Sequence, residues 1–138
     1  MKNKTSVAFD EEREKLFVRK FIQPEYRARV LYELFSPKKR SDALQRLFAD
    51  CDEKYSVMAG DFSKETLLSE ISKRFDVKSK CYVISDSVTD GKETDFMPAF
   101  DYALNYGGVS VLLCGNDLVF IKDEYISGKS DVDVLYRP

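Results

Sequence analysis

The apolar residues of this 138-residue chain change their spacing about halfway along it. Up to about residue 76 they recur every three or four positions, which is the spacing of an amphipathic helix. After residue 79 they form short β-branched and aromatic runs of strand length. A chain of this length buries a core without disulfides or metals. We therefore predict one α+β domain over residues 1–138, helical at about 9–76 and a sheet at about 79–137.

Four segments of the first half are expected to be helices. They span residues 10–22, 24–35, 36–50 and 63–75. Pro24 and Pro37 each indicate a new start, because proline fits the first turn of a helix and not its interior. Ser36 precedes Pro37 and is the expected N-cap of the third helix. Residues 51–60 follow neither spacing, so we expect a loop with Tyr55, Val57 and Met58 turned inward.

The second half predicts four strands and one helix. The strands are expected at 80–85, 109–114, 118–122 and 132–136, and the helix at 95–106. Residues 115–117 (Gly-Asn-Asp) are typical of a β-hairpin turn, and Asp90-Gly91 marks another tight turn in an acidic segment. The expected order is αααα-β-α-βββ. We expect the N-terminal helices to pack on one face of a small, mainly antiparallel sheet. The last strand is expected to add to the edge of that sheet.

Charge is sorted along the chain. Residues 13–46 hold ten Lys/Arg against four Asp/Glu, a local net of +6, whereas residues 81–138 hold four against ten, a local net of −6. The whole chain carries a formal net charge of −2. Such asymmetry is typical of contact with nucleic acid or with a charged partner. The alternative is that the two halves neutralise each other within the fold.

The absence of histidine excludes several mechanisms. Ser-His-Asp and Cys-His nucleophiles and His-liganded zinc all need an imidazole. Three widely spaced cysteines disfavour a disulfide framework, and Cys81 and Cys114 are expected to be small buried hydrophobic residues of strands. The acidic segment 86–95 does not have the ligand spacing of an EF-hand. No catalytic residue, cofactor or metal ligand is therefore predicted.

The candidate site is the expected start of the third helix. A helix N-terminus presents unpaired N–H groups and the positive end of the helix dipole, which together bind anions. Three consecutive cations oppose that dipole, so their position indicates a use. The alternative is a solvated corner whose cations pair with the acidic half of the chain. The predicted anion- or partner-binding residues are Ser36, Lys38, Lys39, Arg40, Arg27 and Arg29.

Aromatic residues lie among these cations. Tyr26 and Tyr32 alternate with arginines, a combination that single-stranded nucleic-acid binders use for base stacking. The other interpretation, which we adopt, makes Tyr26 a core residue with its hydroxyl at the rim. The sequence contains no RNP aromatics, GXXG loop or zinc-finger ligands.

Two stretches of the chain resemble small uncharacterised bacterial proteins that have no assigned activity. The first begins at Phe21 in an arginine-containing helix and continues into Ser-Pro-Lys-Lys-Arg at residues 36–40. It ends at Leu44 and Leu47. The second comprises residues 81–85 and 90–93. The resemblance implies a bacterial or phage origin and assigns no catalytic residue.

Three classes of function are compatible with the sequence. The first is a non-catalytic binding or regulatory protein that acts on a protein partner through complementary charged surfaces, as inhibitor-like proteins do. The second is binding of nucleic acid or nucleotide phosphate through the basic half. The third, a metal-dependent hydrolase built on carboxylates, has the least support because no spacing points to a site. No apolar run suits a membrane helix or a leader, so we expect a cytoplasmic protein without membrane contact.

Overall fold

The computed structural model describes residues 10–123 and 131–138. Within them the α-helices are α1 (Glu11–Phe21), α2 (Arg27–Leu34), α3 (Arg40–Asp50), α4 (Lys64–Ser72) and α5 (Phe96–Asn105), with 3-10 turns at Pro24–Tyr26 and Glu53–Tyr55. The strands are β1 (Ser56–Gly60), β2 (Lys80–Ser85), β3 (Glu93–Asp95), β4 (Ser110–Cys114), β5 (Leu118–Lys122) and β6 (Val132–Tyr136). The predicted α+β class, with mostly N-terminal helices and a C-terminal antiparallel sheet, is confirmed.

The six strands form one sheet in the order β1-β6-β5-β4-β2-β3, and every neighbouring pair is antiparallel. The predicted hairpin is confirmed: Cys114 pairs with Leu118, and Gly115 in the turn between them has a φ of 65°. A positive φ of this size favours glycine. Strand β6 lies between β5 and β1, so the last strand of the chain is interior and not at the edge as expected.

Helices cover both faces of the sheet. On the first face, α1, α2 and α3 pack on alternate residues of β2, β4, β5 and β6. On the second face, α4 and α5 pack on the other set of alternate strand residues. The expectation that all four N-terminal helices share one face is therefore wrong for α4. The difference arises at β1, because the chain joins the sheet edge there and then leaves toward the opposite face.

Residues 51–60 form a 3-10 turn and an edge strand instead of the expected loop. Tyr55 and Met58 contact the cores of the two faces, but Val57 is 38% exposed, contrary to expectation. The register of β1 shifts between Ser56 and Met58, which is a β-bulge. A five-residue strand with a bulge has too few alternating positions for its period to be recognised. The strand β3 was not predicted either, because its three residues are too few to show a period.

The two strand cysteines are buried and free, as predicted. Tyr82 pairs with Leu113, so Cys81 and Cys114 are neighbours on adjacent strands and share the second face. Burial raises the pKa of Cys81 to about 12 and also raises the pKa of Cys114. Thiols with raised pKa values are poor nucleophiles, so both cysteines serve as core residues.

Phe120 lies at the centre of the second-face core, where its ring meets Phe100 edge to face with 5.1 Å between centroids. We predict that Phe120→Ala lowers the free energy of unfolding by about 3–5 kcal/mol, because the cavity adds to the lost burial. Tyr32→Ala, at a side chain that is 66% exposed, is the control and should cost less than about 0.5 kcal/mol. Urea denaturation measures both. A similar effect of the two substitutions would contradict this core.

Candidate functional site

The predicted start of the third helix is a turn. The N–H groups of Lys39 and Arg40 both donate to the Ser36 carbonyl, at 3.0 and 2.9 Å, and α3 begins only at Arg40. Lys39 occupies the cap position, and none of the described side chains caps this end, so the prediction that Ser36 is the N-cap is wrong. Serine followed by proline also suits the first two positions of a β-turn, and the chain uses that conformation here.

Arg40 lies inside the protein and is only 7% exposed. Its guanidinium donates two hydrogen bonds to Glu14, at 2.8 and 2.9 Å, and two to Asp90, at 2.8 and 2.9 Å. A fifth reaches the Leu34 carbonyl at 2.8 Å. These five bonds use every N–H donor of an arginine side chain. Arg40 therefore serves an internal ion pair and has no donor left for an external anion.

Tyr82 also belongs to this set of interacting side chains. The Tyr82 hydroxyl donates to Glu14 Oε2 at 2.6 Å and accepts from the Asp10 N–H at 3.0 Å. Burial, together with the Glu14 carboxylate, raises the pKa of Tyr82. Burial by itself lowers the pKa of Arg40, but the hydrogen bonds that Arg40 donates to Asp90 and Glu14 outweigh it and raise that pKa. We call Glu14, Arg40, Tyr82 and Asp90 the Arg40 network.

Arg27 and Arg29 do not extend the predicted patch. Arg27 Nε donates to the Ile22 carbonyl at 3.0 Å, and Arg29 pairs with Asp50 at 2.9 Å. Asp50 is the last residue of α3, whereas the Lys38–Lys39 pair precedes its first residue, so the two groups lie at opposite ends of that helix.

Tyr26 is 37% exposed and lies 5.3 Å below the Arg29 guanidinium, so the prediction of a core tyrosine is wrong. It lies in the 3-10 turn Pro24–Tyr26, which precedes α2, and not in the helix expected over residues 24–35.

Lys38 and Lys39 remain on the surface. Both are exposed, and neither has an ion pair with any part of the chain that the structure describes. The ammonium of Lys15 lies 6.0 Å from the ring of Phe35, which is three residues before Lys38, and 3.9 Å from the exposed Glu12 carboxylate. We call Lys15, Lys38 and Lys39 the basic corner.

Much of the charge asymmetry is neutralised inside the fold. Ion pairs between the basic and acidic regions join Arg13 to Glu93 at 3.2 Å, Lys20 to Asp117 at 2.9 Å, and Arg40 to Asp90 at 2.8 Å. The alternative interpretation from the sequence, in which the two halves pair with each other, therefore holds for these three cations. The charge that remains available to a partner is therefore confined to small surface regions.

Lys122 is also buried, and it has a structural role. Its ammonium donates to the carbonyls of Gly108 at 3.1 Å and of Asp123 at 3.2 Å, and also to that of Tyr106, at the C-cap of α5. Burial lowers the pKa of Lys122. A cation at the carbonyl end of a helix is favourable, so Lys122 stabilises the end of α5.

A groove of about 1060 Å³ lies between the C-terminal end of α3 and the edge strand β1. Its walls are formed by Gln23, Phe48, Ala49, Cys51, Asp52, Glu53, Lys54, Ser56, Ala59 and Asp133. Asp52, Glu53 and Asp133 supply three carboxylates against the single cation of Lys54, so the lining carries an excess of negative charge. We call it the acidic groove. No local sequence pattern predicts this groove, because its residues come from three separate stretches of the chain, at residue 23, residues 48–59 and residue 133.

Asp133 is the most unusual group of the acidic groove. It is only 9% exposed, and the Ser56 hydroxyl donates to it at 2.6 Å, but no cation of the described residues lies within ion-pair distance. Burial, and to a lesser degree Glu53, raises the pKa of Asp133. A buried carboxylate without a counter-ion costs stability. A sequence signal did exist, since Asp133 interrupts the apolar strand VDVLY.

The described residues contain no group of three or more Cys, Asp or Glu arranged to hold a metal ion. Burial raises the pKa of the groove thiol, Cys51. No helix in residues 10–123 or 131–138 has the length and apolar character needed to cross a membrane.

No protein-family model matches the chain, and searches of curated proteins and of solved structures find no similar protein. The functional interpretation therefore depends on the geometry of the chain itself.

We predict that Arg40→Ala lowers the free energy of unfolding by about 3–5 kcal/mol, because the buried Glu14 and the partly buried Asp90 lose their cation. Arg40→Lys should recover only part of the loss, since an ammonium cannot form two bidentate pairs. Lys39→Ala, one residue earlier, is the matched control and should change stability by less than about 0.5 kcal/mol. Chemical denaturation measures all three. Equal effects at positions 39 and 40 would contradict the role of the network.

Proposed function

We propose that this chain is a non-catalytic binding protein of the cytoplasm that acts on a protein partner through the acidic groove. The observation that carries the proposal is Asp133, a buried carboxylate that has no ion pair with the described residues and lies in a groove with two further carboxylates. Retaining such a group lowers stability, which indicates a use outside the fold. A lysine or arginine from a partner would supply the missing counter-ion.

Two features of the groove support a protein partner. Its volume of about 1060 Å³ is open to solvent between a helix end and a sheet edge, so a chain segment can enter it. Apolar surface from Phe48 and Ala59 lies beside the carboxylates, as in interfaces where apolar contact supplies affinity. The negative lining would also raise the rate of association with a basic partner.

Hexalysine, titrated into isotope-labelled protein and followed by NMR, tests this proposal. We predict amide shifts concentrated at residues 49–60 and 132–135. Asp133→Asn should weaken binding severalfold while stabilising the free protein by on the order of 1 kcal/mol at neutral pH. The raised pKa means that ionising Asp133 costs stability as the pH rises, so this gain should vanish below about pH 4, where the carboxyl is protonated.

Asp95→Asn is the control, because Asp95 is exposed and pairs with Lys80 on the opposite edge of the sheet. It should leave binding at the groove unchanged. Shifts spread evenly over all acidic surfaces, or an equal loss in both variants, would reject the acidic groove as the binding surface.

Phosphate binding at the basic corner is a second candidate. The supporting observation is that Lys38 and Lys39 stay exposed and without a carboxylate partner among the described residues. Arg40, Arg27 and Arg29 are engaged internally, so the interaction would depend on the two lysines and Lys15.

We predict that labelled oligonucleotides bind weakly at low salt, and that Lys38→Glu/Lys39→Glu abolishes the retention. Affinity should fall steeply with salt, because each phosphate contact releases counter-ions. Filter binding at two salt concentrations measures this. Lys73→Glu/Lys78→Glu, at two exposed lysines that follow α4, is the control that changes the net charge by the same amount. Retention that survives the double substitution, or no retention at low salt, would dismiss this candidate.

A further inference from the structure

We propose that the acidic groove takes its partner by strand addition: an extended segment with Lys or Arg at alternate positions pairs with the edge strand β1. This inference rests on the proposed function and specifies the class of partner and its conformation.

The two edges of the sheet differ in protection. Natural proteins guard edge strands with charges, prolines, bulges or short length. Strand β3 has three residues, two of them acidic, and Asp95 also pairs with Lys80 at 3.1 Å. Strand β1 (SVMAG) has five residues and neither a charge nor a proline, and within the described part of the chain the bulge is its only protection. Strand β1 is therefore the edge that is suited to accept another strand.

Strand β1 also has room for a neighbour. Among the described residues it pairs only with β6, so one row of its N–H and C=O groups points away from the sheet. The first-face core draws on β2, β4, β5 and β6 and contains no residue of β1. The helical layer therefore stops short of this edge, and Val57 and Ala59 are exposed. A segment that adds to β1 lies directly against the acidic groove.

The alternation of a strand defines the pattern of that segment. Ala59 is opposite Asp133 in the register, and both line the groove, so this face of the edge carries the carboxylates. Alternate residues of an added strand, about 6.5–7 Å apart, would project over the same face. Lysine or arginine at those positions would meet Asp133, Asp52 and Glu53. The residues between them would lie on the side of Met58, which belongs to the second-face core and suits small apolar side chains.

Charge argues for a basic partner over a second copy of this chain. Two copies paired through β1 would bring two acidic grooves together, and like charges at an interface oppose association. A basic segment instead supplies the cation that Asp133 lacks within the described residues.

An acetylated and amidated octapeptide that alternates lysine and valine is the probe. Two isomers carry N-methyl groups either on every lysine or on every valine, so they share charge and composition. In a strand, successive N–H groups point to opposite sides, and only one isomer blocks the bonds to β1. We expect that isomer to bind at least about tenfold more weakly than the parent, because several hydrogen bonds are lost. The other should stay within about threefold.

Hydrogen exchange gives a second measurement. The outward amides of residues 57–60 should exchange more slowly when the parent peptide is bound, whereas hexalysine at the same occupancy should protect them less. Equal affinities of the two isomers, with no added protection of β1, would overturn strand addition and leave a groove that acts by charge alone. Binding of hexalysine without the alternating peptide would also overturn it. If neither ligand binds at the groove, the proposed function itself fails.

Self-association is tested separately. We expect sedimentation to give a mass near that of one 15.9 kDa chain over the concentration range of the titrations. A dimer that the alternating peptide dissociates would overturn the inference in favour of pairing between two β1 edges.

Discussion

Arg40 joins three helices to the sheet through a single side chain. Its five hydrogen bonds reach Glu14 of α1, the carbonyl of Leu34 in α2 and Asp90 beside β2, while Arg40 itself begins α3. A buried cluster of this kind contributes more to the choice of one arrangement than to stability, because desolvation offsets much of the attraction. Each helix of the first layer thus contributes a group to the same cluster.

The charges around α3 follow from this arrangement. With Arg40 directed inward, Lys38 and Lys39 remain at the N-terminal end of α3, while Asp50, Asp52 and Glu53 cluster at its C-terminal end. Both sets oppose the helix dipole, at a cost of a few tenths of a kcal/mol for each exposed charge. Arg29 pairs with Asp50 and Lys54 pairs with Asp52, and both Asp52 and Glu53 line the acidic groove. The helix thus separates a basic corner from an acidic groove, and the two support different functional proposals.

Local sequence signals predicted the elements whose signals are strong. Long apolar periods located the helices to within a few residues, and Gly115 in its turn predicted the β4–β5 hairpin. The failures have local causes. Ser36-Pro37 is favourable both for a helix start and for a β-turn, and β1 is too short and irregular to show a period. Helical spacing could not predict the exposure of Tyr26, because this residue lies in a 3-10 turn and not in the helix.

The candidate site was decided by contacts between distant residues. The sequence by itself determined the α+β class, the absence of imidazole chemistry and the sorting of charge into two regions. It could not show that Arg40 would face Glu14 and Asp90, 26 and 50 positions away, and so leave the surface. Nor could it show that Asp133 would join Asp52 and Glu53 in one groove. Periodicity reports which side of its own element a residue occupies, whereas a charge acquires its partner only when the elements pack, and only the tertiary structure settles that pairing.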